Sequence, residues 1–149
     1  MKSLEVTFKE LFEFLHVGDN INEMEFTDKQ LYVETPQSTI VPIRGYIKKS
    51  NHSLRRVTLD NDVSFEVASR HLVFERGECK HVVDCNEVDT VSGTVPIRLM
   101  ELIDTDTEVY DISIDAPHVY ITPNGVIHHN TTFMLQLLEY LNIAGYNCA

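Results

Sequence analysis

The sequence predicts an all-β fold with one short helix near its start and a helical tail at its end. Three observations lead there. From Ile21 to about Arg76, β-branched and aromatic residues recur in short alternating runs. Two segments, around Asp60-Asn61-Asp62 and Asn124-Gly125, carry hairpin turn chemistry. After Asn130 the apolar spacing changes abruptly to a helical one.

The elements follow in chain order. Thr7 and Glu10 have capping-box spacing, and Phe8, Leu11, Phe12 and Leu15 fall at helical intervals, so a short helix opens the chain and Gly18-Asp19 breaks it. Strands are expected over Ser38 to Ile47, Val57 to Leu59, Val63 to Val67, Val82 to Cys85, Thr94 to Leu99 and Val109 to Ile114. Pro42 and Pro96 lack an amide donor and belong at edges or strand ends. Val119-Tyr120-Ile121 and Val126-Ile127-His128 flank Asn124-Gly125 in a second hairpin, which should bring Asn130 back beside the strand that carries Asp111. In the tail, Phe133, Met134, Leu137, Leu138, Tyr140 and Leu141 form a helical apolar stripe ending at Gly145. The division is therefore a domain over 1–130 and a tail over 131–149.

A chain of 149 residues is the size of one domain plus a tail. Met1-Lys2-Ser3 leads into no apolar core, and no apolar run approaches a membrane span, so a soluble cytoplasmic protein is expected. Cys79, Cys85 and Cys148 make an odd number without a CxxC pair, which indicates neither a disulfide framework nor a zinc ribbon. The formal charge of −11 repels free nucleic acid and favours a cationic partner.

Val109-Tyr110-Asp111-Ile112-Ser113-Ile114-Asp115-Ala116-Pro117-His118-Val119-Tyr120, followed by Asn124-Gly125-Val126-Ile127-His128-His129-Asn130 and Thr131, resembles the C-terminal splicing motifs of inteins in order and spacing. Glu10 to Ile21 resembles the intein stretch in which a helix or turn leads to Gly-Asp and a strand. Val63 to Val73 resembles the motif with a Thr-x-x-His step, with His71 in the histidine place but Ala68 where the threonine stands. Ser69, or a hydroxyl from elsewhere, would have to substitute for it. The resemblance spans residues 7 to 130 and implies the horseshoe-like β-fold shared by Hedgehog and intein domains (HINT), with protein splicing as its activity.

The residue types suit that chemistry. A terminal asparagine attacks its own main-chain carbonyl through its side-chain amide, closing a succinimide and breaking the bond to the next residue without water, metal or cofactor. Acceleration comes from holding Asn130 in attack geometry and protonating the leaving amine. His129 adjoins that bond, and His118 is brought near by the hairpin. Thr131 offers a hydroxyl to receive an upstream acyl group once a base activates it. The resemblance assigns that activation to Asp111, and to His71 the straining or protonation of the upstream junction. Taken singly, His71 and His118 would more often be structural histidines and Asp111 a solvent-facing strand residue; the joint pattern argues otherwise. His128 keeps a structural reading because alternation places it opposite His129. Three clustered histidines raise a metal site, but no carboxylate or cysteine completes a ligand spacing. His16, His52 and His81 receive no role.

An intein opens with a Cys or Ser nucleophile on a first strand, whereas here Met1-Lys2-Ser3 leads almost directly to the helix. The resemblance thus implies the long C-terminal fragment of an atypical split intein, splicing in trans with a short, basic N-terminal fragment that carries the nucleophile; Ser3 is a poor stand-in. Such a process is autocatalytic and single-turnover, with no membrane partner. Residues 131 to 146 look like the helix after a phosphate-binding loop, pointing to a RecA-type ATPase host and, by family analogy only, a phage source. A generic amphipathic helix fits the same spacing. Two other functions compete: a β-rich binding module without chemistry, and a Hedgehog-type self-cleaving domain, which lacks the terminal His-Asn-Thr logic.

Overall fold

Thr7 caps the first helix in the computed structural model, which describes residues 5–130. Helix α1 (Phe8–Leu15) has the full capping box: the Glu10 amide donates to the Thr7 hydroxyl at 3.1 Å and the Thr7 amide donates to Glu10 Oε1 at 3.0 Å. His16 ends the helix in the left-handed region and returns its amide to the Glu13 and Phe12 carbonyls. The strands are β1 (Tyr32–Glu34), β2 (Ile40–Leu59), β3 (Ser64–Ala68), β4 (Leu72–Glu75), β5 (Glu78–His81), β6 (Glu87–Thr90), β7 (Gly93–Ile114), β8 (Val119–Ile121) and β9 (Ile127–His129). The expected tail helix, Thr131 and Ser3 lie outside the described residues. No helix among those described is long and apolar enough to cross a membrane.

The strands form two antiparallel sheets. One runs β1-β2-β7-β6 with β3 beside the later half of β2, and the other runs β5-β4-β9-β8. The first is organised by a ribbon of β2, 20 residues long, against β7, 22 residues long. Where the sequence suggests separate strands at 38–47 and 57–59, and again at 94–99 and 109–114, the backbone runs on unbroken. The intervening residues, such as Lys48 to His52 and Glu101 to Glu108, are mostly polar and lose the alternation that marks a half-buried strand. Backbone pairing carries the strand through them. Register shifts between Lys49/His52, His52/Leu54 and Leu54/Arg55 bend the ribbon there.

That bend lets one ribbon serve two cores. At one end Ile43, Tyr46, Ile112 and Ile114 pack with Phe12 and Leu15 of α1 and with Tyr120. At the other, Val57 and Leu59 pack with Val73, Val82, Cys85, Val88 and Val126. Burying a Val or Leu side chain is worth about 1.5–3 kcal/mol, so the two clusters fix both ends of the ribbon.

A second expectation fails at Val82 to Cys85, where Val82–Asp84 is a 3-10 turn rather than a strand. Val82 and Cys85, three residues apart, both enter the second core, which a three-residue turn allows and strict alternation does not. Both hairpins form as expected. Leu59 accepts the Asp62 amide and donates to the Val63 carbonyl at the first turn; Gly125, at φ +88°, closes the second. Asn130 follows β9, which pairs with β4 and β8 in the second sheet, so its nearness to β7 of the first sheet comes through His118, bonded to Ile114 and Asn130, and not from strand pairing.

Candidate active site

The short hairpin of β8 and β9 delivers three consecutive buried polar residues, His128, His129 and Asn130, to the end of the second sheet. Asn130 is fully buried, and its backbone amide donates to the His118 carbonyl at 2.9 Å. Its side-chain Oδ1 and Nδ2 have no hydrogen-bond partner among the described residues, and neither has Nδ1 of buried His129. Each such group costs about 1–3 kcal/mol relative to a satisfied one, so this arrangement does not maximise stability.

His118 sits in the left-handed region at φ +65°, held by its amide to the Asp115 carbonyl. Its ring Nδ1 lies 2.7 Å from the Ile114 carbonyl, which can only accept, so Nδ1 donates to it. The His118 and His129 ring centres are 6.2 Å apart. Burial, and then the neighbouring His118, push the His129 imidazole down to about 4. At neutral pH it is an uncharged ring that donates or accepts a hydrogen bond.

A cleft of about 940 Å³ adjoins this cluster, between the middle of the β2–β7 ribbon and the second sheet. Asp111, 5% exposed, lines it from β7; its Oδ1 accepts the Ile112 amide at 2.8 Å and its Oδ2 lies 3.6 Å from Lys49 Nζ of β2. His71 lines it from the loop between β3 and β4, with its amide bonded to the Ala68 carbonyl. Burial pushes the His71 imidazole down to about 4, with Asp111 opposing and Lys49 adding to the effect. His71 Nε2 is 2.8 Å from His128 Nδ1, and His128 Nε2 is 3.0 Å from the Thr122 hydroxyl.

No family model matches the chain, and no curated protein is similar to it by sequence. Solved structures are similar to it in three dimensions. The VidaL intein, as a selenomethionine variant, matches with a TM-score of 0.67 at 22% identity over 84% of this chain and 81% of that one. An intein from a hyperthermophile matches at 0.61 and 22% identity, covering 84% and 88% of the two chains. A consensus engineered intein (Cat) with an atypical split site matches at 0.59 and 16%, covering 76% and 93%. The fold is that of an intein, the all-β HINT domain.

Within this intein fold the residues singled out in the sequence fall into two adjoining groups. His118, His129 and Asn130 form the buried cluster, while Asp111 and His71 face the cleft. Thr131 lies outside the described residues. Ala68 lines the cleft where a threonine is expected, and Ser69 does not replace it, because its hydroxyl accepts from Arg55 Nε at 2.9 Å. Thr122, at the end of β8, brings a hydroxyl to the cleft, as do Thr7, Tyr110 and Tyr120.

Six side chains at this site carried no functional reading in the sequence. His128 is opposite His129, as alternation requires, but that face is the cleft, so the structural reading of His128 overlooks its bond to His71. Tyr120 stacks on His128 at 5.2 Å, and Thr122 completes the row. Lys49 reaches Asp111 only because β2 continues through the polar stretch, a pairing that the broken hydropathy pattern concealed. His52 and His81 also line the cleft, though neither carried a motif.

Proposed function

We propose that this chain is a protein-splicing element that works in trans, joining flanking segments at the Asn130/Thr131 bond. The observation that carries the proposal is the fully buried Asn130 side-chain amide, neither of whose polar atoms has a partner among the described residues, at the end of β9 beside an uncharged, buried His129. A side chain in that state is costly for stability and suited to attack on its own carbonyl.

In this scheme a Cys or Ser on a second polypeptide attacks the carbonyl that precedes it, turning an amide into a thioester or ester. The Thr131 hydroxyl, activated by Asp111, attacks the same carbonyl carbon and releases that thiol or alcohol. Asn130 Nδ2 then attacks the Asn130 main-chain carbonyl carbon, the bond to Thr131 breaks, and the proton lost by Nδ2 ends on the leaving Thr131 amine. His129, beside the scissile bond, polarises the leaving nitrogen, and His118, next to it, helps pass the amide proton to that nitrogen. The freed Thr131 amine captures its own ester to give a peptide bond. No cofactor or metal enters any step.

The second polypeptide belongs in the cleft. β3 and β8 line it, and among the described residues each pairs with one strand, β2 and β9 respectively, so an added segment has edges on which to pair. A short fragment of roughly two strands and a turn suits such a site, and the engineered intein with an atypical split site offers a precedent for division of this fold. The tail from Thr131 would be the start of the downstream host segment.

Thr131→Ala tests the reading. With an N-terminal fragment added, mass spectrometry should show no ligated product from this variant while release of residues 131–149 continues. Ligation by the variant would exclude Thr131 as acceptor and overturn the scheme. A mere binding module would release no tail from the parent chain.

A further inference from the structure

The cleft contains a row of hydrogen bonds that the splicing scheme does not use: Asn124, Thr122, His128 and His71. Its polarity can be worked out from the atoms that have no choice. The Val126 backbone N–H can only donate, and it lies 3.1 Å from Asn124 Oδ1, which fixes that atom as the amide oxygen. The Thr122 hydroxyl lies 2.5 Å from the same oxygen and must donate its single proton there. Thr122 Oγ1 therefore meets His128 Nε2, at 3.0 Å, as an acceptor, so His128 carries its proton on Nε2. His128 Nδ1 then has a lone pair, and His71 Nε2, 2.8 Å away, must supply the proton.

The row ends at His71 Nδ1, which is left with a lone pair and no hydrogen-bond partner among the described residues, on a ring that lines the cleft. We propose that Asn124, Thr122 and His128 form a positioning relay that locks neutral His71 in its Nε2–H tautomer and presents its Nδ1 to the cleft as a proton acceptor. His128 is the central member. Its ring is held by stacking on Tyr120 at 5.2 Å and by the edge contact with Phe65 at 6.0 Å, so it cannot turn over without disturbing both.

The role rests on the splicing reading, in which His71 serves the upstream junction. A proton taken up at Nδ1 leaves the Nε2–H bond to His128 intact, so His71 accepts a proton from the attacking thiol or alcohol without rearrangement and holds it as imidazolium. Burial and Lys49 of β2 oppose that charged form, whereas Asp111 of β7 favours it; His128 and His129 of β9 couple to the ring, and Tyr120 of β8, His52 of β2, Glu66 of β3, Arg70, His81 of β5 and Glu108 of β7 line the same cleft. The base is thus matched to a transient charge rather than a resting one.

Nitrogen-15 NMR of the full chain labelled at histidine reads the tautomers directly and needs no splicing. At pH 7 His71 and His128 should both show protonated Nε2 and unprotonated Nδ1. Thr122→Val should give a mixed tautomer at both rings, and His128→Asn, whose side-chain oxygen can take the place of Nδ1, should preserve the His71 tautomer where His128→Leu does not. His71 protonated at Nδ1 in the parent chain would overturn the relay, whether or not the chain splices. The kinetic arm follows thiol-induced cleavage of the upstream junction against pH. His128→Leu should slow it at least tenfold and move its acid limb, His128→Asn should restore most of the rate, and release of the tail should change less than twofold. Equal slowing of both steps, or no difference between the Leu and Asn variants, would reduce His128 to a packing residue.

Discussion

Asn130→Ala should make the protein more stable while abolishing release of the tail. Both polar atoms of the side chain are buried without partners among the described residues, and each unsatisfied group costs about 1–3 kcal/mol. Truncation removes that cost and leaves a void of a few tens of Å³, worth about 0.5–1 kcal/mol at about 24 cal/mol per Å³. With the low end of each cost, the net expectation is a gain of about 1–2 kcal/mol, against the loss of about 1 kcal/mol typical of a point substitution. With a urea slope of about 1–3 kcal/mol per M, the unfolding midpoint should rise by roughly 0.5–1 M with the slope unchanged. Urea unfolding followed by circular dichroism, on chains whose intact mass has been checked, measures it. A midpoint that falls by a comparable amount would mean that the Asn130 amide is engaged in stabilising bonds, and the argument that it is held for chemistry would fail. The opposition of stability and activity at this residue is the expected mark of a reacting group.

Other outcomes follow from the same geometry. His71 and His129 are held near 4 in the folded chain against about 6.5 when unfolded, so the unfolded chain binds more protons between those values. Their contribution is fully present above about pH 6.5 and is lost as pH falls toward 4, by up to about 3 kcal/mol for each ring; a stability flat across that window in urea titrations would contradict their burial as neutral rings. His129→Ala should slow tail release at least tenfold more than it slows upstream cleavage, and His71→Ala should do the reverse, as read by intact mass against time; equal slowing would indicate a folding defect. The chain carries a formal charge of −11, so a basic N-terminal fragment should associate faster at low salt than at high salt in stopped-flow experiments; a rate insensitive to salt would remove charge from the account of assembly.

What could be read from the sequence depended on whether the signal was local. The capping box of α1 and the two hairpin turns were legible because each is set by residues a few positions apart, and the structure forms all three. The β2–β7 ribbon was not, since its centre is held by backbone pairing across more than fifty residues of chain while its side chains are polar. The same long-range pairing hid Lys49, which meets Asp111 only through it. The residues of the buried cluster, His118, His129 and Asn130, were visible as a motif, but their placement was not: β9 takes its partner from β4 in the other sheet. His128 shows the limit most clearly. Alternation correctly set it opposite His129, and only the fold revealed that the opposite side is the cleft and not a packed core.

The central claim is that Asn130 cuts its own bond to Thr131, and the product of that cut has a chemical signature. The purified chain should be incubated alone and with short Cys- or Ser-initiated intein fragments, then examined by intact mass spectrometry and by sequencing of the released piece. The account predicts a released segment that begins at Thr131 and a retained one that ends in a succinimide, lighter by one water than the hydrolysed form, with the yield raised by a fragment that fits the cleft. Persistence of the intact chain with every fragment, or a cut whose retained piece ends in a free carboxylate and also forms in Asn130→Ala, would contradict it.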